Sequence, residues 1–292
     1  MTTRTKHVVE VAPLTPPPDA FSFGRNWQRF VSRHLTPERE RFAQESLGHL
    51  LGDIRNKSFV DIGCGSGLFS LSACRAGAQQ IISVDVDPVA VGVTRELHAA
   101  AGSPRHWRIL HGSILDYQLV RDLGTSDIVY SWGVLHHTGD MYSAIRNSAE
   151  LVAPGGRLAI AIYNNVSDGW LTSARWWQIK RAYNRAPLQL QAVAGLTYAF
   201  STELTDSLYW LLAKIRRRED AVIDARAQRR ARGMARWTNV VDWLGGYPYE
   251  FATVEEIVGF CESSCDLTCN RVIPVPAGGT GNNEFVFMRA TH

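Results

Sequence analysis

Hydrophobic and polar positions in the first half of the chain alternate between two rhythms. Short apolar runs at 59–62, 81–84, 107–110, 128–131 and 158–163 have the length of buried strands. Residues 68–76, 88–101 and 141–151 between them carry helical spacing. Asp87-Pro88 supplies an N-cap and a proline at the first helical position, and Ala153-Pro154-Gly155-Gly156 reads as a turn. Strands separated by helices imply a parallel sheet with right-handed crossovers, a doubly wound α/β fold. In such sheets ligands sit at the carboxyl ends of the strands.

After Asn164 the rhythm lapses into a helical insertion that runs to about residue 239. Its first segment holds Trp170, Trp176 and Trp177, and Pro187 separates a second. There Leu196, Phe200, Leu204, Leu208 and Leu212 recur every fourth residue, the stripe expected of a helix packed on a core or a partner. Gln189, Gln191, Glu203 and Asp206 make it too polar to cross a membrane. An insertion at this point lies above the strand ends, so it is expected to be a lid over an acceptor, with the arm of a homodimer as the alternative. The expected division is a disordered segment at 1–20, a helical extension at 21–57, the ligand-binding half of the core at 58–164, the insertion at 165–238 and the completion of the sheet at 239–292.

Composition changes this picture little. The 292 residues are 45% hydrophobic and 20% charged, as in ordinary soluble proteins. No apolar run is long enough to span a bilayer and the N-terminal stretch does not read as a signal peptide, so a cytoplasmic protein is expected. A net charge of +3 is too weak to argue for nucleic acid by itself. Residues 214–236 are locally basic, with Arg216, Arg217, Arg218, Arg229, Arg230 and Arg232 outweighing Glu219, Asp220 and Asp224. That stretch reads as a solvated helix face or as an attractor for an anionic metabolite or RNA. Cys261, Cys265 and Cys269 recur every fourth residue but lack paired C-x-x-C spacing and an evident fourth ligand, so they read as buried small residues at a helix–strand junction rather than a metal site.

The chemistry concentrates in VDIGCGSGLFS, Val60 to Ser70. Gly63, Gly65 and Gly67 follow the first strand directly, so the chain can turn sharply and bring bare backbone against a ligand at the next helix's N-terminus. The dinucleotide pattern G-x-G-x-x-G fails, because its third glycine would fall on Leu68 or Ser70, which demotes NAD. Asp85, about twenty residues on at the end of the second strand, is placed to accept both hydroxyls of a ribose.

The run Asp61-Ile62-Gly63-Cys64-Gly65-Ser66-Gly67, together with Asp85, SWGVLHHTGDM (Ser131 to Met141) and LVAPGGRLAI (Leu151 to Ile160), resembles the signature of class I S-adenosylmethionine-dependent methyltransferases. The resemblance implies a Rossmann-like sheet of seven mostly parallel strands, the last antiparallel, with the helical insertion after the fifth. It places the Gly63–Gly67 loop, Cys64 included, at the methionine end of the cofactor and Asp85 at the ribose, with Asp61 and Val86 as further cofactor-binding residues. Ser113, Ile114 and Trp132 fall in its other cofactor-facing segments. Many relatives carry an acidic residue directly after the glycine that ends the third strand, whereas here Gly112 precedes Ser113. Asp116 either takes that role or caps a short helix at 117–122. FGRNW near the start, WLGGYPYEF (Trp243 to Phe251) and GGTGNNEFVFM (Gly278 to Met288) resemble a UbiG-like small-molecule subgroup.

Methyl transfer requires a nucleophile in line with an electrophilic methyl at about 3 to 3.5 Å, and a protonated nucleophile also needs a general base. By the resemblance, the segment after the fourth strand lies beside the reacting methyl, and it holds His136 and His137, whose ordinary pKa of about 6.5 suits proton removal. His137 is the expected base and Glu284 the next candidate; the competing reading has both histidines only hydrogen-bonding backbone or cofactor. Asn164, Trp177, Tyr247, Asn282 and Asn283 are the expected acceptor-binding residues. The chain carries neither an Asp-Pro-Pro-Tyr-type segment nor a Pro-Cys nucleophile, which argues against DNA-base methylation. The expected function is methyl transfer to oxygen or nitrogen of a small metabolite, anionic or a natural-product or sugar intermediate. An RNA or protein methyltransferase and a non-catalytic binding protein are the alternatives.

Overall fold

A computed structural model describes residues 21–215, 236–276 and 278–291. The expected disordered segment at 1–20 and most of the arginine-rich stretch lie outside the described residues.

The apolar runs form β1 (Ser58–Ile62), β2 (Gln80–Asp85), β3 (Trp107–His111), β4 (Ser126–Trp132) and β5 (Val152–Tyr163). Two further strands, β6 (Thr268–Ile273) and β7 (Asn282–Met288), complete a sheet in the order β3-β2-β1-β4-β5-β7-β6. β1 to β5 pair in parallel, and β7 runs antiparallel between β5 and β6. Alternation along each strand sends side chains to two cores. Val60, Ile62 and Ile82 pack with Ile145, Ile257 and Cys261, while Phe59, Ile81 and Tyr130 pack with Leu47, Leu71 and Leu97.

The helices between the strands are α3 (Leu68–Arg75), α4 (Pro88–Ala100), α5 (Tyr117–Leu123) and α6 (Met141–Glu150), preceded by α1 (Phe23–His34) and α2 (Pro37–Leu51). As expected, Asp87 caps α4, its side chain accepting from the Val89 N–H, and Pro88 follows at the first helical position. The turn expected at 153–156 is absorbed into β5: Ser126 pairs with Val152, Ile128 pairs with Arg157, and the intervening residues bulge out of register. Gly155 there has φ +72°, and a Cβ on Gly156 would stand 2.7 Å from the Ala153 carbonyl oxygen, so the chain folds back too tightly for larger residues.

Past β5 come α7 (Ser173–Arg185), α8 (Leu188–Ile215), α9 (Arg236–Gly245) and α10 (Val254–Ser264). A capping box between Thr253 and Glu256 starts α10. The expectation that the α8 stripe packs on this chain's core is corrected: Leu196, Phe200, Leu204 and Leu208 are each at least 55% exposed. A spacing of four overshoots the 3.6-residue turn by about 40° per step, so these positions spiral around the helix instead of sharing one line. The contacts of α8 with the core come instead from Tyr198 and Ala199, which pack against the Trp176 cluster.

Candidate functional site

Past the end of β1 the chain turns back over β2, with the N–H groups of Gly63 and Cys64 donating to the Val84 carbonyl at 2.7 and 3.1 Å. Gly63 and Gly65 have φ of +69° and +56°. A Cβ on Gly63 would lie 2.4 Å from the Val134 methyls and one on Gly65 would lie 2.7 Å from Trp27 Nε1. Backbone conformation and space therefore both demand glycine. Gly67 differs from the sequence expectation: it precedes α3 and packs against Thr94 rather than lining the cavity.

The loop opens onto a cavity of about 880 Å³ at the carboxyl ends of β1, β2 and β4, near the upper end of the range of roughly 300–1,000 Å³ for small-molecule sites. Asp61, Cys64, Asp85, Val86, Ser113, Ile114 and Trp132 all line it. Asp85 accepts from the N–H groups of Gly65 and Asp87, each at 2.9 Å, which fixes its carboxylate at the end of β2. Burial raises its pKa to about 6 against those bonds. Asp61 accepts from Ser70 Oγ at 2.5 Å, and burial raises it to about 7. Asp116 stands apart from the cavity: its carboxylate accepts from the Gln118 and Leu119 N–H groups and caps α5, which corrects its proposed contact with a cofactor.

Helix α1 closes the same end, a feature sequence reasoning missed. The Gly24 N–H donates to Asp87 Oδ2 at 2.9 Å, and Phe21, Ser22, Phe23 and Trp27 form a wall. A Cβ at residue 24 would sit 2.6 Å from that oxygen, so glycine lets α1 lie on the start of α4. The local hint in the sequence is FGRNW, whose residues carry no mark of a cavity wall.

Farther along the same cavity stand Trp132, Tyr163, Trp243, Tyr247, Asn282 and His137, whose ring centroid is 5.0 Å from that of Phe23, so the α1 wall reaches this part as well. His137 Nδ1 lies 2.5 Å from the Pro248 carbonyl oxygen, so the ring donates from Nδ1 and keeps its lone pair on Nε2. Burial drives its pKa down to about 3, well below the ordinary imidazole value that the sequence suggested. His136 is fully buried behind it, with its ring centroid 4.1 Å from that of Tyr163, and burial likewise holds it neutral. His136 therefore does not line the cavity.

Glu284, Asn164, Asn283 and Trp177 are also outside the lining. Glu284 Oε1 accepts from Trp132 Nε1 at 3.0 Å and so orients a ring that does line it. Asn283 donates to Asn164 Oδ1 at 3.0 Å and accepts from the Val275 N–H, tying the start of β7 to its flanking loop. Trp177 packs on Tyr247 with ring centroids 6.2 Å apart. Of the expected acceptor residues, Tyr247 and Asn282 are the ones brought to the cavity.

Three polar residues here were not anticipated. Asp242 lines the cavity from α9 and accepts from the buried Asn26 of α1 at 2.7 Å. Lys180 of α7 is fully buried, donates to the Trp243 carbonyl and lies 4.2 Å from the Trp243 ring centre. Asp242 and Lys180 sit in unremarkable helical stretches, and only the packing of α1, α7 and α9 brings them together. Among the described residues no cluster of His, Cys, Asp or Glu is placed to hold a metal ion, and no helix is long and apolar enough to cross a membrane.

Comparison with known proteins agrees with this geometry. A family model described as a methyltransferase domain matches residues 27–194. The chain is 30% identical over 138 residues to a ubiquinone biosynthesis O-methyltransferase of Sodalis glossinidius, covering 47% of this chain and 52% of that one. It is 35% identical over 119 residues to the enzyme so named from Xanthomonas oryzae, covering 38% and 45%. The chain thus spans about half the length of the curated relatives it matches. Magnesium protoporphyrin IX methyltransferase from Synechocystis, solved with bound S-adenosylhomocysteine, shares the fold at a TM-score of 0.51 and 14% identity, covering 91% of this chain and 94% of that one. The glycine loop, the carboxylate ending β2, the strand order and the family match together make this chain a member of the class I S-adenosylmethionine-dependent methyltransferases.

Proposed function

We propose that this enzyme methylates a hydroxyl oxygen of a small, aromatic or otherwise apolar acceptor, with His137 receiving the proton. The observation that carries this reading is the His137–Pro248 contact, which fixes the tautomer and puts the lone pair on Nε2 of a ring that lines the cavity. S-adenosylmethionine supplies a methyl made electrophilic by a sulfonium. As the new carbon–oxygen bond forms and the carbon–sulfur bond breaks, the hydroxyl proton becomes far more acidic than an imidazolium. A neutral His137 can then take it at Nε2 even though burial has made the ring a weak base. An ammonium acceptor would have to lose its proton beforehand, which so weak a base does poorly. This physical difference supports oxygen over nitrogen.

The walls argue against an anionic acceptor. Asp61, Asp85, Asp87 and Asp242 line the cavity, and neither lysine nor arginine does among the described residues. Burying a carboxylate or phosphate beside Asp242 would cost repulsion and desolvation together. The RNA alternative rests on residues mostly outside the described part of the chain. A screen with methyl-labelled S-adenosylmethionine against small phenols and alcohols, read by mass spectrometry, tests the reading. Labelled small-molecule ether is expected; label appearing only in added RNA or protein overturns it.

A further inference from the structure

We propose that Asp242 is an acceptor-recognition residue, its carboxylate receiving a hydrogen bond from a neutral or cationic donor group on the substrate. The inference deepens the reading of a small-molecule acceptor and rests on it. One oxygen, Oδ1, is held by Asn26 Nδ2 at 2.7 Å. For Oδ2 no hydrogen-bonding partner is present among the described residues, although Asp242 lines the cavity. The backbone carbonyl of Asp242 receives the Gly246 N–H, and Gly246 in turn abuts the His137 ring, where an added Cβ would meet Cε1 at 2.7 Å. One helical turn therefore joins the carboxylate to the wall that carries His137.

The surroundings explain why the carboxylate can wait for a ligand. Burial raises Asp242 to about 7, while the Asn26 hydrogen bond and attraction from Lys180 work in the opposite direction. Lys180 approaches from α7, behind the cavity wall, and is lowered to about 7 by its own burial. Of the other titratable side chains on this part of the wall, His137 stays neutral, and burial together with the nearby Asp242 pushes the Tyr163 phenol up, so it too stays neutral. The carboxylate is thus attracted by a side chain that does not itself line the cavity, and among the described residues neither lysine nor arginine lines it to pair a second anion. The flanking rings of Trp243, Tyr247 and Phe23 supply the apolar complement. A substrate that fits presents a flat apolar body with a hydroxyl or amine donor, and a carboxylate in the same position is repelled.

Calorimetric titration of the full chain, saturated with S-adenosylhomocysteine, against phenol, benzylamine and benzoate tests this directly. The three probes share one ring and differ in the polar group. Tighter binding of phenol or benzylamine than of benzoate, by at least fivefold at pH 7.5, is expected; equal affinities, or a preference for benzoate, overturn the proposal. Which of the two donors binds more tightly separates a hydroxyl from an amine. Asp242→Asn should abolish the preference while S-adenosylhomocysteine affinity changes less than about twofold, and an undiminished preference in that variant overturns the assignment. The wild-type comparison stands even if the variant folds poorly. Failure of the wild-type protein to bind S-adenosylhomocysteine at all would instead refute the methyltransferase reading beneath it, and the proposal with it.

Discussion

His137 and Pro248 are 111 residues apart in the chain, yet the imidazole Nδ1 meets the proline carbonyl at 2.5 Å. The contact joins the turn after β4 to the segment after α9 and decides which nitrogen of the ring remains basic. Replacing His137 by Ala should lower kcat roughly a hundredfold to ten-thousandfold with cofactor affinity nearly unchanged. Because burial holds the ring neutral down to about pH 3, the ratio of wild-type to variant rates should be the same at pH 5.5 and 7.5. An ordinary imidazole of pKa about 6.5 would shrink that ratio about tenfold at the lower pH. Steady-state rates at the two pH values, with an acceptor found by screening, decide between them.

Asp85 offers a second test, on the cofactor side. Its oxygens already accept from Gly65 and Asp87, so the side chain orders the glycine loop, and by our proposal it also receives the ribose hydroxyls of the cofactor. Asp85→Ala removes both functions and should weaken S-adenosylhomocysteine binding by about 2–4 kcal/mol in calorimetry. Asp85→Asn, which retains one acceptor oxygen, should lose less. Equal affinity of wild type and the alanine variant would remove Asp85 from the cofactor site.

The order of strands and helices up to β5 was legible because parallel strands buried on both faces read as unbroken apolar runs and because Asp87-Pro88 marks a helix start from sequence alone. The glycine loop and Asp85 were legible for a related reason, since a strand end followed by residues without side chains has few structural purposes. Asp116 stays open between two readings in sequence because an N-cap and a ligand carboxylate look the same there; only its bonds to Gln118 and Leu119 separate them. Asp242, Lys180 and Asn26 were invisible. Their meeting depends on how three helices distant in sequence pack, and no local periodicity encodes that. The α8 stripe marks apolar positions without saying whether a core or a partner covers them, and the exposed Leu196 and Phe200 answer only for this chain's core.

Gly63 can be tested by adding a single methyl group. With φ at +69° and a Cβ position 2.4 Å from the Val134 methyls, Gly63→Ala combines a strained backbone with a clash against the turn that carries His137. We expect a clear drop in melting temperature and loss of S-adenosylhomocysteine binding. Adding Val134→Ala should recover part of the melting temperature by opening space, without restoring the full affinity, because the left-handed backbone strain remains. Full recovery in the double variant would show that crowding alone makes glycine necessary.

The insertion was expected to cover the acceptor, and its helix α7 bears on the acceptor end from behind the cavity wall. Trp176 is buried, its ring centroid 5.0 Å from that of Trp243, and Lys180 reaches the Trp243 carbonyl from the same helix. Tyr163, Trp243 and Tyr247, which line the cavity, belong to this cluster or pack against it. Trp176→Ala should therefore cost about 3–5 kcal/mol of stability, a large share of the roughly 5–15 kcal/mol that holds a domain folded. The cofactor end rests on β1, β2 and α4, so affinity for S-adenosylhomocysteine should change less than about twofold in the folded fraction. Phenol titrated into that complex should bind at least fivefold more weakly, because the ring of Trp243 loses its support. Deleting residues 167–236 would take Trp176 and Tyr198 out of the cluster and uncover the rest, and is expected to lower the melting temperature further. If Trp176→Ala instead weakened S-adenosylhomocysteine and spared phenol, α7 would act on the cofactor end, and its place behind the acceptor wall would have no functional consequence.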